Sequence, residues 1–97
     1  MVIPWYETPA GEAAARELAA ALRDAMRCAE AGDLWGAMDH VLGWQAKADR
    51  SPIPDAVRGQ ITLRLRIAVR ALRSGDVDEV KRSFRLVLLL VGGAGGG

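Results

Sequence analysis

The chain has little with which to do metal or thiol chemistry. Its single cysteine, Cys28, can form neither an internal disulfide nor a cysteine metal cluster. Its single histidine, His40, falls short of the roughly three or four convergent ligands that a metal site needs, and reads as an ordinary surface residue. A nucleophilic cysteine requires a positioned base and an orienting group. Cys28, between Arg27 and Ala29 at the margin of an apolar helix face, reads instead as a small packing residue. Aromatic residues make up only 5% of the chain, leaving few stacking platforms for bases. The longest uncharged apolar run, Leu86 to Val91, is six residues, against the roughly 20 that span a bilayer. The first residues, Met1 to Glu7, offer no basic stretch followed by a long apolar one, so no signal peptide is expected. The Gly-rich segment 92–97 is followed by no Lys-Ser/Thr pair and opens no helix, so it is no phosphate loop. Asp76, Asp78 and Glu79 suit a helix N-terminus better than an acid–base pair. Neither catalysis nor a cofactor is expected.

What is present is a soluble, globular composition: 51% hydrophobic, 26% charged, net charge +1 over 97 residues. That length suits one domain with a single core of moderate burial. The near-neutral balance gives no global attraction to nucleic acid or membranes, but the halves differ. Residues 1–50 carry five basic and eight acidic side chains, residues 51–97 eight basic and four acidic. Such asymmetry can orient a partner or a second copy head to tail. Arginine outnumbers lysine eleven to two beside abundant alanine, which points to a GC-rich bacterial genome. One free cysteine fits a reduced cytoplasmic compartment.

A 43-residue self-similarity organises the chain. It sets Thr8-Pro9 over Ser51-Pro52 and Gly32-Asp33 over Gly75-Asp76; Ala13, Leu22, Arg23, Ala25 and Arg27 fall on Ala56, Leu65, Arg66, Ala68 and Arg70. The same hydroxyl-Pro start and Gly-Asp break recur at one offset, as expected of stacked supersecondary units. The fold predicted is all-α: four antiparallel helices as two stacked helical hairpins, 8–49 and 51–91, in one domain 1–91 with a flexible Gly-rich tail 92–97.

Helix 1 is predicted over Pro9–Ala31, capped by Thr8, with Pro9 at the first helical position and a stripe through Ala14, Leu18, Ala21, Leu22, Ala25, Met26 and Ala29. Gly32 ends it and Asp33 caps helix 2, Leu34 to about Ala48. Leu34, Ala37, Met38, Val41, Leu42 and Gln45 form the predicted inner face of helix 2, with Trp35 and Trp44 at its edges. Two prolines, Pro52 and Pro54, interrupt the helical pattern. Helix 3, about Pro54 to Ser74, has an apolar arc of about 200°, the pattern of a helix packed on two sides in the centre of a stack. Gly75 ends it, and Asp76 caps helix 4, which reaches about Val91 with Val77, Val80, Phe84, Val87 and Val91 inside.

The Gly-Asp break, the small residue seven before its glycine (Ala25, Ala68) and the small-x-x-x-large pairs Ala37/Val41 and Val80/Phe84 resemble tetratricopeptide-type repeats over about four fifths of the chain. The chain departs from that family in lacking the aromatic and Leu-Gly positions of the first helix and in its period of 43 rather than about 34. The resemblance implies a scaffold that holds a peptide or another protein domain, and brings no catalytic residues.

Leu86, Leu89 and Leu90 carry the main functional expectation. With the inner face they make the last turns of helix 4 apolar all round, so something should cover them. The expected cover is intermolecular, a protein partner or a second copy; the alternative is the segment Val2 to Tyr6 folding back. The expected interface comprises Leu86, Leu89, Leu90 and Trp35, with Trp5 and Arg64 in second place. Arg64 falls within the apolar arc of helix 3, where it should pair with Glu17 or Asp24, or else line a groove for an acidic peptide. Arg66, Arg70 and Arg73, with Lys81, Arg82 and Arg85 on the next helix, offer a polyanion surface and the competing expectation of a small nucleic-acid-binding regulator.

Overall fold

A computed structural model describes residues 4–92. Among them there are four α-helices and no strand: α1 (Pro9–Glu30), α2 (Leu34–Lys47), α3 (Asp55–Ser74) and α4 (Val77–Gly92). Short 3-10 turns occupy Trp5–Glu7 and Ala48–Arg50. No helix among the described residues is long and apolar enough to cross a membrane. Gly92, assigned from sequence to the tail, ends α4; residues 93–97 lie outside the described part.

Local chemistry sets these boundaries. Thr8 Oγ1 accepts from the Gly11 N–H at 3.0 Å, satisfying one of the free donors at the start of α1. Asp33 does the same for Gly36 at 2.9 Å, and Asp76 for Glu79 at 3.2 Å. Gly32 and Gly75 take φ of 85° and 76°, a left-handed conformation that strains any residue with a Cβ. That reversal lets the Asp33 N–H reach the Cys28 carbonyl at 2.8 Å and the Asp76 N–H reach the Ala71 carbonyl at 2.9 Å. Both breaks therefore close with the same backbone bond. Cys28 is half-buried against the core, in keeping with a packing role.

The helices pack as a bundle. Each contacts its neighbours in sequence, and α1 also packs on α4, so the contacts run round a ring while the diagonal pairs barely touch. The α3 helix does meet two others, but so does every helix in the ring; it is no central layer. The interior is drawn from Leu18, Leu22, Ala25 and Ala29 of α1, Ala37, Val41 and Trp44 of α2, Ile61, Leu65, Ala68 and Leu72 of α3, and Val80, Phe84, Val87 and Val91 of α4. Ala25 and Ala29 on α1 and Ala37 on α2 are small enough to let backbones approach, and Phe84 is the bulkiest fully buried side chain. Ile53, 2% exposed, anchors the proline linker in the core.

Two helix faces sit differently from expectation. On α2 the inner line runs Ala37, Val41, Trp44, so Trp44 is core and Leu42 is 48% exposed. Leu42 lies one residue from Val41, about 100° around the helix, beyond what the bundle covers. On α3, Arg64 is exposed rather than inside. The buried line Ile61, Leu65, Ala68 leaves it on the flank, and the carboxylates proposed for it are taken: Glu17 lies 3.7 Å from Lys47, and Asp24 pairs with Arg27.

Candidate interaction surfaces

Among the described residues no group of three His, Cys, Asp or Glu could hold a metal ion, and His40 is exposed. The helix register determines what the molecular surface shows. Leu63 on α3 and Leu89 on α4 are 56% and 69% exposed, and Leu90 is 36% exposed. Leu63 lies two residues from both Ile61 and Leu65, about 200° around the helix from each, so it faces directly away from the core. Leu89 has the same relation to Val87 and Val91. Leu90 sits on the flank of α4, and Leu86 there is half-buried.

The two tryptophans expected at the interface do not join them. Glu30, at the end of α1, lies 3.3 Å from Lys81, near the start of α4, so the Gly32 break and the start of α4 share one end of the molecule. Trp35, 79% exposed in the first turn of α2, belongs to that end. Leu89 is about 18 Å along α4 from Val77, at about 1.5 Å per residue. Trp5 is half-buried against the core, edge-on to Tyr6 with ring centroids 5.8 Å apart. Its turn packs on α1, and Leu89 remains exposed, so the described part of the N-terminal segment does not cover that leucine. Val2 and Ile3 lie outside the described residues.

The basic residues fall into two groups. Arg66, Arg70 and Arg73 line an open groove of about 340 Å³ between α2 and α3, with Leu42, Gln45 and Val69. Lys81, Arg82 and Arg85 border a different recess along α4, with Asp78 and Leu86. There Lys81 pairs with Glu30 and Arg82 with Glu79 at 3.0 Å. Arg64, Arg66, Arg70 and Arg73 form no ion pair among the described residues, whereas Arg58 on the same helix pairs with Asp55 and approaches Asp49 at 3.9 Å.

Sequence reasoning missed Leu63 and Leu42. The signal for Leu63 was its place in Leu63-Arg64-Leu65-Arg66: leucines two apart on a helix cannot both face one core, so one of them had to be outside. No family model, curated protein or solved structure matches the chain.

Proposed function

We propose that this protein is a non-catalytic interaction module that assembles with a second copy of itself through the outer leucine face of α3 and α4. The observation that carries the reading is the exposure of Leu63, Leu89 and Leu90 on two helices packed against each other. In an antiparallel α3–α4 hairpin, Leu63 and Leu89 stand 12 and 14 residues either side of Gly75 and so come level, forming one strip. Covering such leucines stabilises by about 1.5–3 kcal/mol each when burial is complete. A twofold axis lying in the plane of the strip and perpendicular to the helices is isologous, setting α3 on α3 and α4 on α4 of the other copy. It also sends Arg70 and Arg82, nearer the Gly75 turn, to opposite ends of the dimer, which limits like-charge repulsion.

The same reading treats the molecule as two related hairpins. Buried positions recur 43 residues apart: Leu18 with Ile61, Leu22 with Leu65, Ala25 with Ala68, Ala37 with Val80, Val41 with Phe84 and Trp44 with Val87. The identical closure at Gly32 and Gly75 supports it, as does the full burial of Ala25 and Ala68, the small positions of the tetratricopeptide likeness. A small number of repeats leaves outer faces that need capping, which favours assembly.

Sedimentation velocity across a concentration series tests the proposal. Wild type should show a monomer–dimer equilibrium that Leu89→Glu abolishes while helicity is retained. A wild type that stays monomeric at high concentration would remove it. The nucleic-acid alternative has less support: Lys81 and Arg82 are engaged with carboxylates, and no aromatic lines the arginine groove.

A further inference from the structure

The groove between α2 and α3 is a second surface, separate from the leucine strip. Three features coincide there. Arg66, Arg70 and Arg73 follow one another at i, i+4 and i+7, a stripe about 11 Å long on one side of α3. They make no ion pair among the described residues, and no acidic side chain lines the groove. The groove also has an apolar element, Leu42 and the half-buried Val69, left open because α2 and α3 are the most loosely joined neighbours in the ring.

A nucleic-acid site has little use for an exposed leucine beside its arginines and gains from aromatic platforms, which this groove lacks. A second copy is poorly matched, since the carboxylates of its acidic first helix, Glu12, Glu17, Asp24 and Glu30, already stand in ion pairs within the chain. An amphipathic helix with carboxylates on one side of its apolar stripe matches both features at once. Its apolar side chains would cover Leu42 and Val69, and carboxylates spaced i, i+4, i+7 would meet the arginines. Arginine also suits the role chemically, because its fork holds a carboxylate by two parallel bonds.

We propose that the α2–α3 groove binds an acidic amphipathic helix of a partner protein, with Arg66, Arg70 and Arg73 as its carboxylate contacts and Leu42 with Val69 as its apolar seat. The probe is a synthetic 16-residue amphipathic helix with glutamates at i, i+4 and i+7 flanking a leucine stripe. Its controls are the same peptide with glutamine for glutamate and a single-stranded oligothymidine. Binding is read by fluorescence anisotropy and by backbone amide shift mapping on the full chain. The acidic peptide should bind saturably, shift amides of α2 and α3, and weaken with added salt. Each single Arg→Ala change should cost about 2–5-fold in affinity, as exposed ion pairs do. Leu42→Gln should weaken binding as well, and Leu89→Glu should not.

Absence of saturable binding by the acidic peptide overturns the proposal, as does equal binding of the glutamine peptide. Shifts confined to the α4 leucine strip overturn it too. Tighter binding of the oligothymidine, indifferent to Leu42→Gln, would make the groove a nucleic-acid site instead. These residues are exposed or half-buried, so the variants should fold, and far-UV circular dichroism checks this.

Discussion

Replacing Gly11 by alanine should destabilise the protein, against the usual sign for a glycine in a helix. Alanine is ordinarily favoured there by up to about 1 kcal/mol. Gly11, however, is buried in the first turn of α1 with the Trp5–Glu7 turn lying directly on it. A Cβ at this position would overlap the Trp5 carbonyl oxygen, stand 2.6 Å from the carbonyl carbon and 2.9 Å from Thr8 Oγ1. Two of these atoms are backbone, so no rotamer change relieves the clash, and the turn must lift away. That loosens the bond Thr8 Oγ1 donates to the Trp5 carbonyl (2.7 Å), the bond from the Thr8 N–H to the same oxygen (3.3 Å), and the Thr8 cap on Gly11 (3.0 Å). A cap is worth about 1 kcal/mol, and the other two bonds contribute about 1 kcal/mol each. Set against the helix gain, the net loss is about 2 kcal/mol, a fall in melting temperature on the order of 10 °C for a domain of this size. Gly43 and Gly59, where an added Cβ meets nothing within 4 Å, supply the contrast. Alanine at either should stabilise by about 0.5–1 kcal/mol. Urea unfolding followed by circular dichroism measures all three variants, and a red shift of tryptophan emission in Gly11→Ala reports release of Trp5. If Gly11→Ala raises the urea midpoint as Gly43→Ala does, the Trp5 turn does not pack on α1 as described.

Three further outcomes follow from the same structure. Leu89→Glu and Leu90→Gln should change monomer stability by no more than about 0.5 kcal/mol while eliminating the dimer in sedimentation velocity; unfolding of the monomer would place both leucines in the core. Phe84→Ala removes a ring that is 0% exposed and should cost about 3–5 kcal/mol in urea denaturation, whereas Trp35→Ala, at a side chain 79% exposed, should leave the midpoint nearly unchanged. Gly75→Ala and Gly32→Ala force a Cβ into left-handed backbone and should each cost about 1–2 kcal/mol, read as a drop in melting temperature despite the open space around both positions.

The sequence by itself determined where the helices begin and end. Thr8, Asp33 and Asp76 cap their helices, and Gly32 and Gly75 reverse the chain, because these are short-range effects settled within one turn. It also identified the inner line of α4, whose bulky valines and phenylalanine at helical spacing admit one orientation. Rotation of the other helices was less legible. Where alanine, leucine and arginine spread over a wide arc, several orientations bury similar area, and the neighbouring helix chooses among them. That is why Leu42 emerged outside, Trp44 inside, and Arg64 on an exposed flank. Closure of the ring through α1 and α4 decided the rest. It depends on contacts between residues more than fifty positions apart, such as Glu30 with Lys81, which no local pattern encodes. The candidate surfaces inherit this division: Leu89 and Leu90 were readable from one helix, but the strip proposed for them with Leu63 and the groove that sets Leu42 and Val69 beside Arg66, Arg70 and Arg73 depend on two helices packing side by side.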